Sequence, residues 1–416
     1  MMDQAHFLIM VAGILGLFSI LAGLLSQRIG APLLLGFLAI GMLAGEDGPG
    51  GLVYEDFRSA YLIGSIALAV ILFEGGLKTS IQRIQLALWP SLALATIGVA
   101  ITAGLVGAAI KLIANAPWTS ALLAGAVVAP TDAAAVATLL RRARVAIPER
   151  VSAALEVESG LNDPMSIFLT FLLIDFIVRP GQVTAGHAAL FFLREMGGGA
   201  ALGLLGGYAL LLLLRYLPLE ASLTTVLGVA GVLALFGAAQ LLHTSGFLAI
   251  YIAAVMAGSA HYPARDEIGH FFEGLAWLSQ IVLFLMLGLL VTPHQLVPLI
   301  VPAVLTTVVL IFVARPVAAF ACMLPFGYDL RETTFAAWVG LRGAVPIYLC
   351  IVPAASDARG IRLFDAIFVA VVASLIAQGW TIGLVARLLG YGAKGGAAAN
   401  AEALAGEAAR ADAEIG

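Results

Sequence analysis

Long apolar runs, separated by short polar or charged connections, fill most of the chain. The runs lack the strict polar and apolar alternation that marks a half-buried strand. A helical membrane crossing takes about 20 apolar residues, and lipid offers an exposed backbone no hydrogen-bond partner. The pattern therefore predicts an all-α membrane protein of about thirteen helices. They are expected at about 5–26, 31–45, 59–76, 86–113, 118–140, 148–179, 185–215, 221–242, 245–260, 268–291, 296–323, 331–354 and 362–389.

Composition supports this class and excludes others. Hydrophobic residues make up 62% of the chain and charged residues 11%, whereas a soluble domain carries about 25% charged residues. A net charge of -4 over 416 residues gives no reason to expect a nucleic acid as a partner. The expected surroundings are membrane lipid, and no cofactor is indicated.

Lys and Arg in the connections fall mainly on one side of the predicted bundle. The richer side holds Arg28, Lys78, Arg83, Arg141, Arg142, Arg144, Arg150, Arg215, Arg265, Arg331 and Arg387. The other side holds Arg58, Arg179, Arg359 and Arg362. Because short cytoplasmic loops carry an excess of basic residues, we expect an outside N-terminus and a cytoplasmic C-terminus.

The end of the chain differs in composition from the rest. Residues 392–416 are rich in Ala, Gly and Glu and contain no aromatic residue, so they cannot bury enough apolar surface to form a core. We interpret them as a disordered cytoplasmic tail, with an Ala-rich helix as the alternative. Residues 1–391 then form one transmembrane domain. Its helix plan permits two six-helix halves, helices 1–6 and 8–13, related by inversion around helix 7.

Two helices combine a central charge with helix-breaking residues. In helix 5, Asp132 follows Pro130, which removes a backbone hydrogen bond, and in helix 12 two glycines and Pro346 surround Arg342. A charge at mid-membrane needs a partner, water or a function, and broken helices in matching places of two halves mark a transporter site. Helices 5 and 12 are therefore predicted to be unwound. Arg342 is expected to neutralise the end of a half-helix. Asp132 either does the same or acts on the substrate.

Helix 6 carries the richest polar cluster, Glu-Val-Glu-Ser-Gly-Leu-Asn-Asp-Pro. Ser159 and Asp163 are four residues apart and share a helix face, as do Glu158 and Asn162. Oxygen ligands suit a hard monovalent cation, and the broken helix 5 can supply the Thr131 carbonyl. Burial disfavours the charged form of an unpaired carboxyl. Asp163 is therefore predicted to take up either a proton or a cation.

Two other carboxylates have separate predicted roles, Glu158 within this cluster and Glu74 in helix 3. Glu158 is predicted to form a structural ion pair with Arg342, because each needs a buried counter-charge. Asn162 is neutral, so that pair leaves one exchangeable charge near Asp163 and favours one proton per monovalent cation. Glu74, in the cytoplasmic half of helix 3, either meets the ion through water or pairs with Lys78 at i+4.

Four motifs then carry a family resemblance. They are Phe-Glu-Gly-Gly-Leu at 73–77, Thr-Asp-Ala-Ala-Ala-Val at 131–136, Glu-Ser-Gly-Leu-Asn-Asp-Pro at 158–164 and Gly-Leu-Arg-Gly-Ala-Val-Pro at 340–346. In these motifs the chain resembles the monovalent cation/proton antiporter superfamily, in its electroneutral NhaP-type branch with Asn-Asp in helix 6. Ala133 stands where many sodium-transporting relatives have Pro, which looks like the bacterial potassium/proton antiporters.

The resemblance implies a homodimer in the bacterial cell inner membrane. Each subunit would have crossing, unwound helices 5 and 12, with a core that moves like an elevator against a dimerisation domain. The resemblance implies that Asp163 binds cation and proton in turn, with Ser159 and the Thr131 carbonyl as cation ligands. It gives Asp132 and Glu74 supporting or water-mediated roles, and it keeps the helix 6 to helix 12 ion pair structural.

Together these features predict a secondary active antiporter that exchanges K+ or Na+ for H+, without net charge movement, through Asp163. The alternative is a sodium-coupled symporter of a small organic solute on a related fold. A channel would need a ring or filter motif, and none is visible. An enzyme is not expected because no His-Glu-x-x-His motif is present, although the sequence alone leaves open an aspartyl pair of Asp132 and Asp163.

Overall fold

The computed structural model describes residues 2–29, 32–355 and 358–392. These residues form helices and contain no β-strand, apart from an isolated bridge between Gly45 and Leu52. The prediction of an all-α protein is therefore confirmed for the described part of the chain. The tail expected at 392–416 lies outside the described residues from 393 onward.

The helices are numbered along the chain, with letters for the parts of an interrupted helix. They are α1 (Met2–Ile29), α2 (Leu33–Ala44), α3 (Phe57–Lys78), α4 (Ile81–Ala114), α5a (Trp118–Val127), α5b (Ala133–Ala143), α6 (Glu149–Val178), α7 (Ala185–Tyr216), α8 (Ala221–Leu241), α9 (Gly246–Ser259), α10 (Arg265–Leu289), α11 (Pro293–Phe326), α12a (Leu330–Trp338), α12b (Ala344–Ala354) and α13 (Ala358–Leu388).

Membrane-spanning character can be judged from length and hydropathy. Within the described ranges, the helices long and apolar enough to cross a membrane are α3, α4, α6, α7, α8, α10, α11 and α13. The shorter apolar helices include α2, α9 and the two parts of the broken helices, α5a and α12b. The chain is thus a polytopic membrane protein.

Several helices begin at a side-chain cap. Helix α4 begins earlier than the predicted residue 86, because the Ser80 side chain accepts a hydrogen bond from the Arg83 backbone N–H at 3.3 Å and so satisfies a free donor of the first turn. Among the described residues, three helices contain a π-helical turn, where one additional residue is accommodated per turn. These turns are Leu94–Gly98 in α4, Leu193–Gly198 in α7 and Leu310–Ala314 in α11.

Both predicted interruptions are present. The helical conformation stops after Val127 and resumes at Ala133, and it stops after Trp338 and resumes at Ala344. The two unwound segments touch, since the Asp132 backbone N–H donates to the Leu341 carbonyl at 2.8 Å. The two breaks therefore meet and bring residues about 210 positions apart in sequence into one place.

Packing divides the helices into two groups. The unbroken group consists of α1–α3 and α7–α10, in which α9 packs on α3 and α7, and α10 packs on α2 and α3. The broken-helix group consists of α4–α6 and α11–α13, in which α4 packs on α5a and α6, and α11 packs on α4, α12a and α13. Contacts between the groups are fewer and involve mainly α3, α9 and α10 against α6 and α12b.

Candidate functional site

A cavity of about 740 Å³ lies between the two groups. The broken-helix group lines it with Thr131, Asp132, Ser159 and Asp163, and the unbroken group lines it with residues that include Glu74. The structure therefore brings five of the residues selected from the sequence to one cavity. Its wall also carries the basic residues Lys78, Arg83 and Arg141, which belong to the basic side of the bundle.

Ser159 holds the break of helix 5 against α6. Its hydroxyl donates to the Thr131 carbonyl at 2.9 Å and accepts from the Ala133 backbone N–H at 3.2 Å. Asn162 adds a second tie, because its side-chain amide donates to the Thr131 hydroxyl at 2.8 Å. These contacts bring together the oxygen atoms of the predicted cation ligands, Thr131 and Ser159.

Asp163 lies on the same helix face as Ser159 and is 5% exposed. One of its carboxylate oxygens is buried and has no hydrogen-bond partner among the described residues. An ionised carboxylate without partners is costly in this environment. Such a group therefore has a strong tendency to bind a cation or a proton that enters from the cavity.

Asp132 stands between two helix N-termini. Its carboxylate accepts from the Ala135 backbone N–H at 2.9 Å and caps α5b. The same carboxylate lies against Gly343, where a Cβ atom would collide with it, at the start of α12b. Because helix N-termini carry partial positive charge, one carboxylate neutralises both half-helices. This is the dipole-neutralising role that the sequence left open, and Asp132 also lines the cavity.

Arg342 serves the opposite end of the broken helix 5. Its guanidinium donates to the carbonyls of Ala129 and Pro130 at 2.5 and 2.9 Å, just beyond the C-terminal end of α5a. These carbonyls have no partner within the helix. Arg342 is 1% exposed. Its buried positive charge is stabilised by the negative end of the α5a helix dipole.

The predicted ion pair between Glu158 and Arg342 is wrong in its partner. Glu158 instead forms a two-point salt bridge with Arg315 of α11, with one N–O distance of 2.9 Å. Arg315 also donates to the Ala336 carbonyl at 3.3 Å near the end of α12a. The cause is geometric, since the Arg342 guanidinium is already engaged by the α5 carbonyls and α11 packs on α12a.

Arg315 was not selected as a functional residue from the sequence. The available signal was a single arginine near the centre of the long apolar stretch that forms α11. Such a residue needs a buried counter-charge. Both Arg315 and Glu158 are almost fully buried, at 3% and 1% exposed, so each satisfies the requirement of the other.

Glu74 follows the second of its two predicted roles. Its carboxylate forms a salt bridge with Lys78 one helical turn later. The Lys78 ammonium also lies 3.4 Å from the Glu273 carboxylate on α10. Glu74 still lines the cavity, but its charge is already paired, unlike that of Asp163.

A helical membrane bundle with two interrupted helices that touch at their breaks, and with an unpaired carboxylate at that junction, has the architecture of a secondary transporter. The comparison with known families is specific. The profile of the transmembrane sodium/hydrogen exchanger family matches residues 16–388. The chain belongs to this family.

Curated relatives support the assignment. The chain is 43% identical over 389 residues to the K(+)/H(+) antiporter NhaP of Alkalimonas amylolytica, covering 93% of this chain and 68% of that protein. It is 40% identical over 389 residues to the K(+)/H(+) antiporter NhaP2 of Shewanella oneidensis, covering 93% and 67%.

A solved structure supports the fold. The sodium proton antiporter MjNhaP1 from Methanocaldococcus jannaschii, whose structure was solved at pH 8, matches with a TM-score of 0.75. The match covers 89% of this chain and 99% of that one at 23% identity. At this identity the likeness concerns the fold.

Proposed function

We propose that the chain exchanges a monovalent cation, K+ or Na+, for H+ by competition at Asp163. The observation that carries the proposal is the buried, unpartnered oxygen of Asp163 on the wall of the cavity between the two groups. Ser159 and the Thr131 carbonyl supply further oxygen atoms beside the break. A proton or a cation can neutralise this carboxylate, and each excludes the other.

The charges around the site favour exchange without net charge movement. Three carboxylates, Glu158, Asp132 and Asp163, are accompanied by two guanidiniums, Arg315 and Arg342. Arg315 cancels Glu158, and Arg342 balances the charge of Asp132 across the α5 break. One negative charge is left at Asp163. That charge binds one monovalent cation or one proton, which makes a one-to-one exchange the expected stoichiometry.

The order of helices supports the proposal of thirteen crossings in two inverted halves. The first half, α1–α6, would match the second, α8–α13. Matching members share unusual features: α5 and α12 are interrupted, α2 and α9 are short, and α4 and α11 both contain a π-helical turn within 34 residues. Inverted repeats with their binding site at broken helices are a common plan of secondary transporters.

Movement between the two groups would provide alternating access. The ion site belongs to the broken-helix group, whereas the facing wall belongs to the unbroken group. An elevator-like displacement of the first group would carry a neutral, loaded Asp163 across the membrane. We further propose that the basic end of the bundle is cytoplasmic, that the membrane is the bacterial inner membrane and that the unbroken group forms a homodimer interface.

The test is cation-dependent proton flux in proteoliposomes that contain the purified protein and a trapped pH dye. K+, Na+ or Li+ is added over a range of pH, with the membrane potential clamped. The wild type is expected to exchange, whereas Asp163→Asn, which keeps size but cannot bind a proton, should fall to the level of empty liposomes. The Ala133 signature predicts a larger response to K+ than to Na+.

Several outcomes would contradict the proposal. Unimpaired exchange by Asp163→Asn would remove the proposed carrier group. Flux driven by membrane potential alone would contradict the one-to-one stoichiometry. Sodium-coupled uptake of a labelled organic anion, without proton exchange, would establish the symporter alternative instead.

A further inference from the structure

A second, smaller cavity of about 40 Å³ also lies between the two groups. The unbroken group contributes Tyr61, Glu195 and Phe247, and the broken-helix group contributes Ile167 and Tyr348. The volume is sufficient for one or two water molecules. It is therefore a small, mainly apolar pocket with a few polar groups, among them Glu195, on the same interface as the ion site.

The two cavities lie in line through the bundle. On each of four helices, a residue that lines the large cavity lies a few positions from one that lines the small cavity. The pairs are Asp163 and Ile167 on α6, Leu68 and Tyr61 on α3, Tyr251 and Phe247 on α9, and Pro346 and Tyr348 on α12b. The separations correspond to about 3 to 11 Å of helix rise. The small cavity is thus the continuation of the path beyond Asp163.

Three aromatic side chains of the small cavity pack together across the interface between the two groups. The rings of Tyr61 and Tyr348 stack with centroids 5.6 Å apart, and Phe247 meets Tyr348 edge-on at 6.1 Å. The Tyr348 hydroxyl lies 2.8 Å from the Ser65 hydroxyl. Tyr348 belongs to the broken-helix group and the other three residues belong to the unbroken group. Displacement between the groups would therefore separate these side chains.

Glu195 is a carboxylate at this small cavity that the exchange mechanism does not use. It lies on the π-helical turn of α7, and its backbone carbonyl accepts from the Ser245 backbone N–H at 3.1 Å. Its neighbour Arg194 donates to the Leu242 carbonyl at 3.0 Å instead. Across residues 2–29, 32–355 and 358–392, no salt bridge engages the Glu195 carboxylate.

We propose that the small cavity is the collapsed vestibule of the opposite membrane face, and that Glu195 is its binding site for a monovalent cation or a hydrated proton. The inference rests on the proposed exchange function and adds the site that loads Asp163 from that face. An ionisable residue inside a membrane bundle is functional by default. A carboxylate at a vestibule raises the local concentration of cations, so Glu195 sets the apparent affinity on one face only.

The test compares cation-dependent proton flux in right-side-out and everted membrane vesicles, with K+ and Na+ each as the probe. Glu195→Gln should raise the apparent KM for the cation about threefold to tenfold on the Glu195 face. The apparent KM on the large-cavity face should not change. Glu195→Asp keeps the charge and should restore the affinity.

Two further variants serve as controls, one that adds a carboxylate to the small cavity and one that removes a carboxylate elsewhere. Gln240→Glu adds a carboxylate at an exposed residue that lines the same cavity, so it should lower the apparent KM on that face even if Glu195→Gln is poorly folded. Glu46→Gln removes an exposed carboxylate from the α2–α3 loop at the same end of the bundle and should leave both values unchanged.

The outcomes separate this proposal from the exchange function. If the wild type exchanges normally and the Glu195 and Gln240 variants change neither face, or change the large-cavity face, the vestibule site is wrong and the exchange function stands. If the wild type shows no cation-dependent proton flux, the exchange function itself fails.

Discussion

Two buried arginines support the two broken helices in different ways. Arg315, on α11 of the broken-helix group, cancels the charge of Glu158 through a two-point salt bridge. It also donates one hydrogen bond to the Ala336 carbonyl. Arg342, within the break of helix 12, donates to the carbonyls of Ala129 and Pro130 and forms no salt bridge within the part of the chain that the structure describes. One arginine is matched to a full charge, and the other to the end of a helix dipole.

The difference teaches that the partner of a buried arginine cannot be inferred from the motif in which the arginine stands. Arg342 is part of the motif Gly-Leu-Arg-Gly-Ala-Val-Pro, yet its partners are backbone atoms. Arg315 stands in an apolar run and still neutralises a helix 6 carboxylate. A full charge left without its partner costs more than carbonyls left without a donor, which orders the effects expected from substitution.

The largest effect is expected from Arg315→Met. The substitution leaves the Glu158 carboxylate buried without its partner, which should destabilise the protein by about 3–5 kcal/mol. The measurement is an unfolding titration of the purified protein in mixed detergent and SDS micelles. The double variant Glu158→Gln with Arg315→Met should recover at least half of the loss, because it removes the orphaned charge.

The comparison would be broken by two results. One is an Arg315→Met variant as stable as the wild type. The other is rescue of Arg342→Met, rather than Arg315→Met, by Glu158→Gln, since that would restore Arg342 as the partner of Glu158.

A smaller loss is expected from Arg342→Met. It leaves two carbonyls of the α5 break without their donor, at a cost of about 1–3 kcal/mol, because Pro130 lines the cavity and water can replace one bond. Arg342→Lys should retain most of the stability, since an ammonium group carries three donors. Arg315→Lys should not, because it loses the two-point geometry. Equal behaviour of the two Lys variants in the same titration would contradict this distinction.

The sequence was informative wherever the signal was local. Pro130 and the glycines around Arg342 predicted both interruptions, because these residues act on the backbone of their own helix. The four-residue spacing of Ser159 and Asp163 predicted their shared face for the same reason. The i+4 spacing of Glu74 and Lys78 gave the salt bridge that the structure contains as one of two alternatives.

The rest depended on packing between distant helices. Glu158 is 157 positions from Arg315, and both arginines are buried cations in apolar surroundings, so nothing in either segment distinguishes the correct partner. The division into two groups and the alignment of the two cavities likewise follow from which helix faces meet. One carboxylate at two helix N-termini, as for Asp132, can be recognised only after the breaks are seen to touch.

Substitutions of Asp132 test how a half-helix end is stabilised, and their expected loss of stability is smaller than that of Arg342→Met. Asp132→Ala removes the cap of α5b and should cost about 1 kcal/mol. Asp132→Asn keeps a capping oxygen but loses the charge, so it should lose less stability than Asp132→Ala, while it exchanges more slowly because the cavity loses a carboxylate. Paired unfolding titrations and flux assays separate the two effects. If Asp132→Asn were as unstable as Asp132→Ala, the carboxylate charge rather than the cap would support the break.

The smallest effect belongs to a hydrogen-bonded Asp and His pair on the surface, which completes the series from buried to exposed. The Asp47 carboxylate accepts from the His294 backbone N–H at 2.8 Å and lies 2.7 Å from Nδ1 of the His294 imidazole ring. It links the α2–α3 loop to the start of α11, one helix from each group. The backbone hydrogen bond from His294, followed by its side chain, holds the pKa of Asp47 below the ordinary value of 3.8.

A carboxyl with a lower pKa in the folded state binds fewer protons when folded, so its contribution to stability is present above the unfolded pKa. The contribution is lost as the pH falls through the folded pKa. Between about pH 5 and pH 3, the unfolding midpoint of the wild type should therefore fall slightly more than that of Asp47→Asn. Glu46→Gln, which removes the neighbouring exposed carboxylate, should follow the wild type. Because exposed pairs stabilise proteins little, an Asp47 effect as large as that of Arg315→Met would overturn the ordering by burial.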